Sequence, residues 1–406
     1  MNLSKAKKWS YPVFTLISLY LKVFCFKCDK NKVVLLADFG KYGGTRTYFV
    51  ALLEFLYKNS YDVTVLLKEG QLDNELNCLL IRYNFSYRII YHFGYVVFCE
   101  RIFSKFNINP LKKLIHSLNF YLNVVLQEKP RVFIVSSGNT EPYLYFFILP
   151  ITLIHFTHTV PVANSARLSK IILFIFLSKR KKILTCSNCA RSAIIKFWCL
   201  QNITKNVEYI YHFYESTQID DIGNRNDLIR ILTVGHIIFY KNPNFWIEVA
   251  RELKSRKTLS FEFIWLGEGE ELSEFREKVK DEDYIKFVGY TPDVEQYYKQ
   301  TDIYFQPSLA ESFGFSLVGA MAHGLPCVVS DKQALPEIIK DSVNGFVFEI
   351  PKVNEAADKI ELLINSSAKR VQFGNAAYKD YLQKYTKEIW LTNMSLFLTK
   401  LKLQIR

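Results

Sequence analysis

Four places in this chain carry residue types suited to chemistry on a charged ligand. Gly43 and Gly44 form a Gly-Gly turn directly ahead of a helical stretch. Glycine lets a ligand approach the backbone closely. A helix N-terminus offers free N–H groups and a positive dipole to phosphate, and Arg46 in the first turn adds a cation. Lys241, in VGHIIFYKNPN, brings a compact charge suited to a diphosphate. Glu311 opens ESFGFSLVGAMAHGLP, in which a carboxylate precedes Gly314 and an apolar helical run. A carboxylate so placed accepts hydrogen bonds from sugar hydroxyls or stabilises positive charge at a reacting carbon. His158, in HFTHTVP, ends an apolar strand-like run, with His155 beside it. Each has a plain structural alternative: a turn glycine, a solvated surface lysine, a helix-dipole partner worth about 0.3–1 kcal/mol, and a satisfied structural histidine.

The hydropathy pattern supplies the elements that position these residues. Lys32–Ala37 (KVVLLA) and Asp62–Leu67 (DVTVLL) read as buried strands. Between them a helix is expected from about Thr45 to Asn59, with Phe49, Leu52, Leu53 and Leu56 on one face. Further strands are expected at Arg131–Val135, Ile151–His155 and Lys182–Cys186, giving one doubly wound α/β domain over residues 31–215. A polar hinge, EYIYHFYESTQIDDIGNRNDL, follows. A second series runs through Ile229–Gly235, Phe261–Gly267, Ile285–Gly289, Ile303–Gln306 and Pro326–Ser330, with a helix at Asn244–Lys254, and defines a second domain over 216–384. Residues 385–406 read as a C-terminal helix, with a return to the N-terminal domain left open. The expected fold class is α/β, with two doubly wound Rossmann-like domains facing a central cleft at the carboxyl ends of both sheets.

Composition narrows the partners. The 406 residues are 50% hydrophobic, enough for two substantial cores and unlike a disordered chain. The formal net charge is +13. Residues 1–220 hold 28 Lys and Arg against 13 Asp and Glu, whereas residues 221–406 hold 24 against 26, so the basic excess lies in the first half. No nucleic-acid motif is present, which leaves anionic lipid or a phosphorylated substrate as the expected partner. Residues 1–30 are basic and apolar, but the run Tyr11–Leu21 is shorter than the ~20 residues of a spanning helix. No small-residue cleavage site follows it. That segment and Arg167–Lys182 read as membrane-surface segments, or as helices packed on the protein itself. The pairs Cys25/Cys28 and Cys186/Cys189 have zinc-ligand spacing but lie far apart, so reduced thiols are expected rather than a metal site.

Taken in order, these signals resemble glycosyltransferase family 4, retaining enzymes of the GT-B fold. The resemblance is carried by GGTRTYFVALLEFLYKNSYDVTVL at 43–66, HFTHT at 155–159, LTCSNCARSAI at 184–194 and LTVGHIIFYKNPNFWIEVA at 232–250. It continues with FIWLGEGEE at 263–271, IKFVGYTPDVEQYYKQTDIYFQPSLAESFGFSLVGAMAHGLPCVVSD at 285–331 and PEIIKDSVNGFVFE at 336–349. The resemblance implies that Gly44 lies against the donor phosphate, with Gly43 in the same turn. It implies that His158 approaches the donor sugar, that Lys241 binds the diphosphate, and that Glu311 stands near the sugar hydroxyls. Phe313 and Gly314 would present backbone N–H groups to sugar and phosphate, with Ser312 beside them, and Val288 would lie near the nucleobase.

Three positions depart from the family pattern. Gly319 stands where the family has a second glutamate that binds ribose hydroxyls, His236 where it has an arginine beside the lysine, and Ala334 where it has a glycine. Losing a charged hydrogen bond to ribose costs about 1.5–3 kcal/mol, which weakens binding without removing the chemistry. Either the anchor is lost, or a bulky neighbour or different donor group fills the space; the three departures together favour a remodelled pocket. The expected function is transfer of a sugar, with retention, from a nucleotide-diphosphate sugar to a glycan or lipid-linked acceptor. The setting would be bacterial surface-polysaccharide biosynthesis, of capsule or lipopolysaccharide. The expected enzyme needs no metal or other cofactor and sits on the cytoplasmic face of the membrane. The alternatives are a non-catalytic nucleotide-sugar-binding homologue, or partner subunit of an active transferase, and a phosphorylase-like enzyme, for which no cofactor-anchoring lysine is evident.

Overall fold

The computed structural model describes residues 31–39, 43–90, 121–138, 146–161, 177–198, 200–216, 228–256 and 260–401, with Lys22, Cys28, Asp29 and Ile175. Most of the two expected membrane-surface segments therefore lies outside the described residues. Among the described residues no helix is long and apolar enough to cross a membrane. The chain forms two compact units: Met1–Cys186 with Arg191–Tyr209 and Met394–Arg406, and Ser187–Ala190 with Ile210–Asn393.

The first unit is built on β1 (Lys32–Asp38), β2 (Asp62–Lys68), β3 (Ser86–Ile90), β4 (Val132–Ser137), β5 (Leu153–Thr157), β6 (Lys181–Thr185) and β7 (Val207–Tyr209). They form one parallel sheet in the order β3-β2-β1-β4-β5-β6-β7, with Leu35 of β1 opposite Val65 on one side and Ile134 on the other. The five central residues of β1 and of β2 are all buried, as continuous apolar runs in a two-faced parallel sheet must be. The helix Gly44–Lys58 buries Phe49, Leu52, Leu53 and Leu56, the face expected from their spacing, together with Tyr48, Ala51 and Phe55. Strand order reverses between β1 and β4, which places the switch point of a doubly wound sheet at their carboxyl ends.

The second unit repeats the plan with β8 (Ile229–Val234), β9 (Phe261–Leu266), β10 (Ile285–Gly289), β11 (Ile303–Gln306), β12 (Cys327–Ser330) and β13 (Gly345–Phe348). The order is β10-β9-β8-β11-β12-β13, again parallel, and the reversal falls between β8 and β11. Its core is aromatic: Trp246 meets Trp265 edge to face with ring centroids 5.3 Å apart, and Phe263 and Phe287 close around them. Each such side chain contributes about 1.5–3 kcal/mol through burial. This cluster fixes the frame from which the loops after β8 and β11 project.

All ten expected strands are present, with ends shifted by at most two residues. Three unexpected strands, β3, β7 and β13, are all sheet edges. An edge strand need not carry a continuous apolar run: Ser86, Tyr87 and Arg88 of β3 are exposed, and β7 is only three residues long. The start of the expected polar hinge is regular structure. Residues 207–209 are β7, and Tyr214 is held in the second unit by Tyr385 O and by the Tyr381 hydroxyl, each at 3.0 Å.

Candidate active site

In the second unit, the loops at the switch point bring together Lys241 and Glu311. After β8 the chain passes Gly235, whose carbonyl accepts the Trp265 indole N–H at 2.8 Å. It then turns at Phe239–Lys241 and enters the helix Pro243–Ser255 through Asn242. The Lys241 stem folds back along Gly235: a Cβ there would lie 3.5 Å from Lys241 Cε. The Lys241 ammonium donates to Glu311 Oε2. Gln306, at the end of β11 and buried, donates its amide to the same oxygen at 2.9 Å. Glu311 Oε1 accepts no hydrogen bond in these contacts. The backbone of Glu311 is pinned as well, its N–H donating to Gln333 Oε1 at 2.8 Å and its carbonyl accepting from Ala334 N at 3.1 Å.

Both side chains of the ion pair are 15% exposed, which corrects the plain reading of Lys241 as a solvated lysine. Held by a carboxylate in a partly desolvated site, its charge is fixed in place rather than free in water. The two loops thus present a cation, a carboxylate oxygen and a glycine-lined backbone at one sheet edge. That arrangement suits a ligand carrying both phosphate and hydroxyl groups.

Gly314 has φ +95° and ψ 59°, the left-handed region that favours glycine, and begins the helix Phe315–Ala322. The Phe313 ring is buried beside Tyr211, His212 and Tyr385, so only its backbone can face a ligand. Ser312 O accepts from the Ser187 hydroxyl at 2.6 Å. Val288 lies in β10, where its carbonyl accepts from Arg276 at 2.6 Å.

The three departures take distinct forms. A Cβ at Gly319 would lie 2.8 Å from Tyr214 Cε2 and 2.9 Å from the Tyr298 hydroxyl. Both rings are fixed: Tyr214 donates to Glu295 at 2.6 Å, and Tyr298 donates to Ser316 O at 2.8 Å. The space beside residue 319 is therefore filled by bulky neighbours. Ala334 has φ −79° and ψ −13°, a helical conformation that needs no glycine. His236 is exposed.

In the first unit, Gly43 has φ +104° and caps the helix that Gly44 begins. The Arg46 guanidinium, in the first turn of that helix, pairs with Asp73 at 2.8 Å and Glu75 at 3.0 Å, and holds the Asp73 carboxyl below its usual range. His158 follows β5 and is buried, its Nε2 3.0 Å from the Ser136 hydroxyl and its ring against Tyr48 of the helix after the Gly-Gly turn. Burial lowers the His158 pKa to about 4. Burial, and secondarily the neighbouring His158, lowers that of His155 to about 3. Both imidazoles are neutral near pH 7 and act through hydrogen bonds, not charge.

Sequence reasoning passed over Gln306 and Gln333, which fix Glu311. The signal available was a glutamine closing the otherwise apolar strand IYFQ. Among the described residues no three His, Cys, Asp or Glu side chains are grouped to hold a metal. Cys186 is buried and Cys28 exposed, and Cys25 lies outside the described residues.

Residues 215–380 match the family Glycosyl transferases group 1. An uncharacterized glycosyltransferase of Haemophilus influenzae is 29% identical over 38% of this chain and 47% of its own length. The poly(ribitol-phosphate) alpha-N-acetylglucosaminyltransferase of Staphylococcus aureus is 30% identical over 38% of this chain and 33% of its own. The chain thus spans less than half the length of these curated relatives. Among solved structures, Anabaena HepE in complex with UDP superposes with a TM-score of 0.70 at 16% identity, covering 91% of this chain and 100% of the other. The fold is GT-B, two parallel-sheet Rossmann-like domains, and residues 215–380 are similar to the group 1 glycosyl transferases.

Proposed function

We propose that this chain transfers a glycosyl group from a nucleoside-diphosphate sugar to a glycan or lipid-linked acceptor, in the manner of a family 4 retaining glycosyltransferase. The observation that carries this reading is the Lys241–Glu311 pair at the β8/β11 switch point of a unit similar to the group 1 glycosyl transferases. The UDP complex of a GT-B neighbour and the sugar-transferase names of the relatives support it. In the proposed reaction the bond from the anomeric carbon to the diphosphate breaks. The acceptor oxygen forms the new bond on the same face, and the acceptor proton goes to the departing diphosphate. Lys241 neutralises the charge that develops there, aided by the Gly43–Gly44 turn and the backbone at Ser312, Phe313 and Gly314. Glu311 accepts from sugar hydroxyls or stabilises the anomeric carbon, neutral His158 approaches the sugar, and Val288 lies towards the nucleobase.

The setting we infer is surface-polysaccharide assembly, of capsule or lipopolysaccharide, on the cytoplasmic face of the membrane. The basic first half of the chain motivates this placement. Co-sedimentation with liposomes should rise with the anionic lipid fraction and fall with salt. Equal binding to neutral vesicles at every salt concentration would refute the electrostatic attachment. The activity itself is tested by incubating the purified chain with a panel of nucleotide sugars, after a thermal-shift screen to choose the donor. The rival, a binding homologue without turnover, would show donor-induced stabilisation but no hydrolysis or transfer.

A further inference from the structure

We infer that Gln306 is the positioning residue that keeps Glu311 in place when Lys241 turns to the donor diphosphate; the inference rests on the donor-binding role proposed above for these two residues. Both Lys241 and Gln306 donate to one oxygen, Glu311 Oε2, leaving Oε1 as the face presented to a ligand. Across this contact the ammonium and the carboxylate neutralise one another. A nucleoside diphosphate competes for that ammonium, because its phosphate oxygens are equally charged acceptors. As Lys241 moves to the phosphate, Glu311 would lose its stronger partner at the moment its position matters.

Gln306 is built to hold it. The side chain is buried, and its orientation is dictated from both ends. An ionised carboxylate can only accept, so the amide NH2 must face Glu311. The Gln306 Oε1 then faces the Tyr304 hydroxyl at 3.2 Å. That hydroxyl is buried and lies 2.9 Å from Ser316 Oγ, in the first turn of the helix Phe315–Ala322. Ser316 O in turn accepts from Tyr298. A chain of buried and half-buried polar groups thus runs from the helix Phe315–Ala322 back to the Glu311 carboxylate. The same Gln306 amide also lies 3.3 Å from Ser308 Oγ, so Gln306 ties the start of the loop after β11 as well as the Glu311 carboxylate.

The test uses Gln306→Leu and Gln306→Glu in the full chain, with turnover and donor binding measured separately. Gln306→Leu should lower kcat about ten- to hundredfold, the range of a hydrogen bond to a charged group, while donor KM stays within about threefold. Gln306→Glu should be poorer still near neutral pH, where two carboxylates face one another. Its activity relative to wild type should recover as pH falls, because a protonated carboxyl at 306 can again donate to Glu311. The Gln306→Leu deficit should not recover with acid. Wild-type kcat in Gln306→Leu, or equal losses in kcat and KM, would overturn the inference. A readout without turnover is a double-mutant cycle on Tm with Glu311→Gln. Gln306→Leu should lower Tm less in the Glu311→Gln background, and equal shifts in both backgrounds would overturn the contact. An inactive wild type that still shows this coupling would refute the transferase reading but not the pairing.

Discussion

Gly319 sits inside a helix, where glycine costs roughly 0.5–1 kcal/mol relative to alanine. The cost is explained by Tyr214 and Tyr298, whose fixed rings occupy the space a side chain would need. Around them Glu295 accepts from Tyr214, and His323 bonds Glu295 and Gly319 O, both at 2.7 Å. Restoring glutamate at 319 must therefore displace a tyrosine that anchors residues 210–216. We expect Gly319→Glu to weaken binding of the nucleoside diphosphate and to lower Tm, measured by isothermal titration and by thermal unfolding. A clear gain in affinity would mean that the site had only lost a ribose contact and that the tyrosines yield easily. The departure itself is legible in the sequence. Its cause is not, because Tyr214 and Tyr298 lie 105 and 21 positions earlier in the chain and nothing local ties them to residue 319.

At the scale of elements, the second unit fastens a short excursion of chain through Glu337. Its carboxylate accepts the N–H groups of Asn188 at 2.8 Å and Cys189 at 2.7 Å, at the start of the helix Asn188–Phe197, and the Tyr211 hydroxyl at 2.7 Å. One carboxylate satisfies two N–H groups that a helix start leaves without intrahelical partners. Glu337→Ala should lower stability by about 1–3 kcal/mol, since it removes three hydrogen bonds to a charged acceptor. Chemical denaturation would show this as a lower midpoint with an unchanged slope, and an unchanged midpoint would make the cap incidental. Strands and the main helices were readable because parallel strands buried on both faces demand continuous apolar runs. The edge strands β3 and β7 were not, because one side of each is unpaired and the apolar run is relaxed, and β13 was not because GFVF, though apolar, is only four residues long. The site divides the same way. Lys241 and Glu311 could be placed from the loops after β8 and β11, while their mutual pairing depends on strand order and the Gln306 contact, five residues apart in the chain, on the path of one loop, neither of which hydropathy reveals.

At the scale of the whole molecule, the two sheets share one plan, and each sets its candidate residues at the carboxyl ends of its strands. The first unit also carries an acid liability. His155 and His158 have folded pKa values of about 3 and about 4, below the ordinary 6.5, through burial. The unfolded chain therefore takes up protons that the folded chain refuses. Stability from these groups is present above about pH 6.5 and is lost as pH falls from there towards about 4 for His158 and about 3 for His155. Urea midpoints across that window should decline with acid, and His155→Gln should flatten the decline; an unchanged slope in that variant would remove His155 from the account. The central claim is that Lys241 and Glu311 serve transfer from a nucleoside-diphosphate sugar, and one experiment addresses it directly. The purified chain is assayed for release of nucleoside diphosphate from its best donor, with and without acceptor, beside Lys241→Ala and Glu311→Gln and with Tm recorded for each. The account predicts turnover by wild type, donor affinity reduced about tenfold or more in Lys241→Ala, and turnover reduced far more than affinity in Glu311→Gln. Folded variants that bind and turn over the donor like wild type would contradict it.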